Sequence, residues 1–353
     1  MKLPSSPLQY PLPIHAPRPA PTMPPTAPPP TLTGTAPCTA GSAVGCAPDA
    51  VFKQAFGVYR AVVDAGLLGH ATLVGAAVGE LRAVQGAAFG GAPLTILDAG
   101  CGDAGALAAG LARAGGRALV GTYHGLDASA PALAAAQPAV QAALGPGGTV
   151  ATAVGDLLAH LEGAARSRSG SGGDDKDGGG PLLLPPSVAC MPPPPGGYHA
   201  ILATLAVHHL ASPEKQRWLA AAAACLAPGG VLVVGDFFLE EGGGGGEVGA
   251  AGACAGGGAG GGGPDTVAAW RARCTARIRL TWPAVCGLPQ AECDALAAHV
   301  AACDMPEAVS TFRDWMEAGA GLTRVGVAAR VDAGDCGGAV IPCTTVVGHK
   351  ARE

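Results

Sequence analysis

The segment LTILDAGCGDAG, Leu94 to Gly105, decides how this chain is read. Its first half is a short apolar run, the pattern of a buried strand. Its second half is a glycine-rich turn, and the AGALAAGLARAGG stretch that overlaps it reads as a helix ending in glycines. Gly100, Gly102 and Gly105 match G-x-G-x-x-G between strand and helix, the context a nucleotide-type turn requires. Glycines let a ligand approach the backbone, and a helix N-terminus offers N–H groups without helical partners. In a chain with 57 glycines the turn alone is a weak signal. Asp98 sharpens it: a carboxylate two residues before Gly100 repels a pyrophosphate and suits a cationic or hydroxyl-bearing ligand.

Outward from this turn the chain alternates. YHGLDA, TVATAVGD, YHAILATLAV and VLVVGDFF read as further strands. Between them, a helix is opened by Ser129 and interrupted by Pro138, LLAHLEGAA forms another, and a third starts at Ser212-Pro213 and stops at Pro228-Gly229-Gly230. Val51 to Gln85 and Thr266 to Ser310 read as helical, and LTRVGVAARV and AVIPCTTVVG as two closing β segments. Strand–helix alternation implies an α/β fold: a doubly wound, mostly parallel sheet with helices on both faces.

Composition bounds the rest. Hydrophobic residues make up 49% of the 353 residues but aromatics only 4%, so Ala and Gly supply much of the apolar share. Residues 1–48 are proline-dense and contain no acid; they read as a disordered tail or a targeting segment. Residues 49–353 then form one catalytic-size domain carrying low-complexity loops at 166–197 and 241–264. The net charge of −5 and the lack of a basic stripe make nucleic acid an unexpected partner. The apolar stretch Trp218 to Gly235 is broken by Pro228-Gly229-Gly230, so no membrane span is expected. Twelve cysteines without CxxC spacing support no zinc ribbon, and no metal ligand set is read from the sequence. Reduced thiols suit an intracellular protein, in the cytoplasm or the chloroplast. Cys101 reads as a small filler of the turn rather than a nucleophile.

Four ordered segments carry a family resemblance: LDAGCGD, YHGLDASAPAL, AVGDLLAHL and YHAILATLAVHHL, followed by CLAPGGVLVVGDFF. Together they resemble the class I, Rossmann-like S-adenosylmethionine (SAM)-dependent methyltransferases, from about Phe52 to Val331 without the two loops. The Tyr59-Arg60 helix, the His208-His209-Leu210 ending and Asp304-Met305-Pro306-Glu307 are further similar to a smaller methyltransferase-domain group with LDxGCGD and HHL motifs. That likeness names no substrate. The resemblance implies a seven-stranded sheet with a helical lid and SAM as cofactor. It implies that Asp98 lies near the methionine end of SAM, with Gly100, Cys101 and Gly102 against the nucleoside. Asp127 would bond the ribose hydroxyls and Asp156 the adenine amino group, with Ala128, Leu157 and Thr204 beside them. Two departures stand out. The family's third turn glycine is Ala104, and an aromatic usual before the sixth strand is absent from Ala318-Gly-Ala-Gly-Leu322.

Each candidate has a plainer reading. Asp98, Asp127 and Asp156 could cap the helices that follow them. His208 and His209, at a strand's C-terminal end, are candidates for catalysis or for lining the acceptor pocket. Alternatively, one packs the cofactor loop and the other caps a helix. Tyr59, His70 and Trp282 could line a lid or simply pack, and Asp236 reads as a polar strand end. Methyl transfer from a sulfonium needs mainly alignment and desolvation. The expected activity is therefore SAM-dependent methylation of a small-molecule acceptor. The alternatives are an NAD-type oxidoreductase and a non-catalytic SAM-binding protein of the same fold.

Overall fold

The computed structural model describes residues 56–168, 191–239, 266–332, 334 and 338–352. The tail 1–48, the 241–264 loop and most of the 166–197 loop lie outside the described residues. The helices are α1 (Phe56–Asp64), α2 (His70–Phe89), α3 (Gly105–Arg113), α4 (Ala130–Leu144) and α5 (Leu157–Arg168). They continue with α6 (Ser212–Cys225), α7 (Val267–Cys286), α8 (Gln290–Cys303) and α9 (Val309–Asp314). The strands are β1 (Leu94–Ala99), β2 (Val120–Asp127), β3 (Thr149–Val154), β4 (Tyr198–Thr204) and β5 (Leu226–Asp236). After these come β6 (Phe238–Leu239), β7 (Glu307–Ala308), β8 (Thr323–Val331) and β9 (Cys343–His349).

Seven strands form one sheet in the order β3-β2-β1-β4-β5-β9-β8. β1 to β5 pair in parallel, and β9 runs antiparallel to both neighbours. The order reverses between β1 and β4, the switch point at which open α/β sheets leave a crevice. Alternation along the strands builds two cores. Ile96, Ala200, Leu202, Val231 and Val233 face one side with Leu81, Leu111 and Val140 from α2, α3 and α4. Leu97, Ile201, Ala203, Leu232 and Val234 face the other with Leu161, Trp218 and Phe312 from α5, α6 and α9. A third cluster joins Val62 of α1 to Trp270, Ile278 and Trp282 of α7 and Ala297 of α8. This is the doubly wound, seven-stranded, mostly parallel architecture expected from the sequence.

Several local expectations change. The first helical stretch is two helices, split where Gly66 and Gly69 take positive φ. α4 runs through Pro138 without a break. Proline removes the bond to the Ala134 carbonyl, but both residues lie on the exposed face, where water satisfies that group. α6 ends at Cys225, and Pro228-Gly229-Gly230 lies inside β5 rather than between helix and strand. Ser212 does not cap α6. Glu214 accepts the Ala211 N–H instead, at 2.9 Å, while the Ser212 hydroxyl donates to Glu307. The absent aromatic before β8 is compensated, since Met316 and Leu322 are buried and both pack at Gly348 of β9. No helix among the described residues is long and apolar enough to cross a membrane.

Gly69 has φ of +63°, and a Cβ there would lie 2.8 Å from Val331 Cγ2. Gly69→Ala combines left-handed strain with overpacking against a stiff β-branched side chain. It is expected to lower stability by about 2–3 kcal/mol, read as a reduced urea midpoint at unchanged slope.

Candidate functional site

The expected site residues stand at the carboxyl edge of the parallel strands. Asp98, the penultimate residue of β1, is buried and accepts the Tyr123 hydroxyl of β2 at 2.9 Å. Burial pushes its carboxyl up to about 7, the tyrosine bond opposes this, and Asp127 adds to it. After β1 the chain turns sharply. Gly100 (φ +77°) and Gly102 (φ +52°) are left-handed, and a Cβ at Gly100 would stand 2.4 Å from the Ala206 Cβ. That glycine is therefore required by the turn after β4, which packs directly on it. At Gly102 a Cβ would meet nothing within 4 Å, so its backbone faces open space.

Asp127, at the end of β2, ties two turns together. Its Oδ2 accepts Gly102 N–H and its Oδ1 accepts Ser129 N–H, each at 2.8 Å. Ala128 beside it is exposed. Asp156, after β3, is exposed and caps α5 through a 2.7 Å bond from Ala159 N–H to Oδ1; Leu157 follows, half-buried. Thr204 ends β4, half-buried. Burial first, then Asp98 and Asp127, push the Cys101 thiol well above its usual value, so it stays protonated near neutral pH.

The sequence reading missed a third acid, Asp103. Its Oδ1 accepts Gly105 N–H at 3.0 Å, and its Oδ2 pairs with Arg60 of α1 at 3.2 Å. The signal was present, since Asp103 is the last residue of LDAGCGD. Tyr59 of α1 bonds His70 of α2 at 3.1 Å. Burial, followed by the charges of Asp103, Asp127 and Asp98, raises the Tyr59 phenol. Burial lowers His70 to about 4, so it is neutral. Tyr59, Arg60 and His70 thus cover the acid-lined turn. Trp282 does not take part, being buried with its indole N–H donating to the Ala339 carbonyl at 2.9 Å.

A second cluster forms on the turn after β4. Leu205 there is left-handed (φ +54°), held by a 2.8 Å bond from its N–H to the Gly235 carbonyl. Asp236 is far more than a polar strand end. Its Oδ2 accepts Val207 N–H and His208 N–H at 2.8 and 3.0 Å. Its Oδ1 accepts Phe237 N–H at 2.8 Å and lies 2.5 Å from His208 Nδ1. Burial disfavours the His208 cation, but Asp236 and Asp304 outweigh it and raise the imidazole above its ordinary range. His209, next to it, is lowered well below that range by burial and by the neighbouring histidines. Asp304, just beyond α8, lies 3.7 Å from His208 and 3.6 Å from His209, and burial pushes its carboxyl up to about 6. His299 of α8 lies 4.0 Å from the same oxygen. In sequence, nothing marked His299 as part of a site.

No protein-family model matches this chain, and no curated protein is significantly similar to it. Its structure is similar to the apo form of the S-adenosylmethionine-dependent methyltransferase SibL at 16% identity and a TM-score of 0.39, over 77% of this chain and 55% of that one. It is similar to an O-methyltransferase family protein from Burkholderia thailandensis at 15% identity and 0.39, over 78% and 56%. It is also similar to the SAM-bound magnesium protoporphyrin IX methyltransferase of Synechocystis at 14% identity and 0.40, over 80% of each chain. The chain thus spans just over half the length of the first two of these proteins.

Ala104 stands where the resembled family has its third glycine, and it adopts φ +50°. The left-handed backbone explains the preference for glycine there. Ala104→Gly removes strain of about 1–2 kcal/mol, partly offset by the greater freedom of glycine in the unfolded chain. A net gain of about 0.5–1 kcal/mol in urea unfolding is expected.

Proposed function

We propose that this protein is a SAM-dependent methyltransferase acting on a small-molecule acceptor. The observation that carries the proposal is the carboxylate lining of the glycine turn: Asp98, Asp103 and Asp127, with Arg60 paired to Asp103. A dinucleotide would bring a diphosphate against these acids. SAM brings an ammonium, a sulfonium and two ribose hydroxyls, which suit them. The open backbone at Gly102 gives its nucleoside a close approach.

When bound, SAM supplies a methyl group on an already electrophilic sulfonium. The chain's own residues then have holding and orienting roles. Asp98 would take the ammonium end and Asp127 the ribose hydroxyls, its orientation fixed by Gly102 and Ser129. Asp156 and Leu157 would meet the adenine, with Ala128 and Thr204 at the edges. Tyr59, Arg60 and His70 would close over the cofactor and limit access of water. His208 and His209 would shape the acceptor side. A base is required only for an acceptor whose reacting atom carries a proton.

In the cofactor-free protein Asp98 is neutral at low pH and ionises through about pH 7. Its raised carboxyl favours the folded state at low pH, and that contribution is lost as the pH rises through 7. A cation bound beside it favours the ionised form, so binding expels a proton below pH 7. SAM affinity, measured calorimetrically, is expected to rise about tenfold between pH 6 and pH 8. Asp98→Asn should bind more weakly with a flat profile. A flat profile in the unaltered protein would contradict the role given to Asp98.

A further inference from the structure

We propose that His208, His209 and Asp304 form a binding site for one divalent transition-metal ion of the zinc type. One ligand atom from each of the three residues lies within 4.8 Å of the others. Asp304 Oδ1 is 3.7 Å from His208 Nε2, 3.6 Å from His209 Nδ1 and 4.0 Å from His299 Nε2. These separations are too long for hydrogen bonds. Ligand atoms about 2.0–2.2 Å from a shared tetrahedral ion stand roughly 3.3–3.6 Å apart. The separations to Asp304 therefore need to contract by only a few tenths of an ångström, while the two imidazole nitrogens, within 4.8 Å of each other, close by up to about 1.5 Å.

Two further observations point to an ion rather than to an ordinary ion pair. Asp304 is 1% exposed, and its Oδ1 accepts no hydrogen bond among the described residues although imidazole nitrogens surround it. A pair with His208 alone would not bring His209 and His299 to the same oxygen. His208 also has the second partner that a metal-bound histidine uses. Its Nδ1 lies 2.5 Å from Asp236 Oδ1, which fixes the ring and turns Nε2 toward Asp304. This is the carboxylate–histidine–metal arrangement.

The donors select the ion. Two imidazole nitrogens and one carboxylate suit borderline ions such as Zn²⁺, Co²⁺ or Fe²⁺, whereas Ca²⁺ and Mg²⁺ prefer all-oxygen sets. The ligands come from the turn after β4 and from the end of α8. The backbone already closes around them: Met305 N–H donates to the His208 carbonyl at 2.8 Å, and Arg271 Nε to the Asp304 carbonyl at 2.7 Å. The ion would clamp the α7–α8 layer onto the sheet edge. Its binding is independent of the cofactor reading and is measured without SAM.

The test uses the full chain stripped by chelation, then titrated with Zn²⁺ and separately with Co²⁺. One equivalent of Zn²⁺ per chain is expected at micromolar affinity or tighter. Asp304→Asn and His209→Gln should each weaken it at least a hundredfold while leaving the circular dichroism spectrum intact. The Co²⁺ form should show visible d–d bands without thiolate charge transfer. If Asp304→Asn fails to fold, His209→Gln and the Co²⁺ spectrum still decide. No Zn²⁺ binding by the unaltered protein would overturn the proposal. So would binding undiminished by the folded variants, or a thiolate band that places the metal on cysteines.

Discussion

The site depends on one close contact. Gly100, in the turn after β1, packs against Ala206, in the turn after β4, with no room for a single added methyl group. This contact holds the two turns together at the point where the strand order reverses. A crevice opens at such a point in any doubly wound sheet. Here the contact divides the edge into two chemistries. On the β1–β2 side stand three carboxylates; two residues beyond Ala206 begin the histidines. Left-handed backbone accumulates along this line, at Gly100, Gly102, Ala104 and Leu205, and it is strained at the two non-glycine residues.

The two clusters handle buried charge differently. Among the described residues, the acids at the glycine turn accept mainly from neutral donors: backbone N–H groups for Asp127 and Asp103, and a phenol for Asp98. The only cation paired there among the described residues is Arg60, which is half-exposed and contributes little to stability. Asp98 is thus a buried carboxyl that gains most from a positive ligand. At the histidine cluster, Asp236 is fully satisfied by four donors, whereas Asp304 is not. Contrast between a satisfied and an unsatisfied buried carboxylate is what distinguishes scaffold from site.

The fold was legible because strand–helix alternation and apolar patterning are local signals, and they named the sheet, its parallel character and most helices. The errors occurred where tertiary context decides. Pro138 is tolerated because it lies on the wet face of α4, which sequence does not display. Pro228-Gly229-Gly230 looks like a break but runs within β5. The residues of the glycine turn were legible because one motif holds them all, and Asp103 was overlooked inside that same motif. Asp236 and His299 were not legible. Asp236 meets partners nearly thirty residues away, and His299, five residues before Asp304, reaches His209 only through a fold that joins positions about ninety residues apart.

The most direct test of the central claim is calorimetric titration of the whole chain with SAM, S-adenosylhomocysteine and NAD in parallel, repeated with Asp127→Ala. The account predicts micromolar binding of SAM and S-adenosylhomocysteine, no heat with NAD, and loss of both signals in the variant. Binding of NAD alone, or SAM binding that survives loss of Asp127, would contradict it.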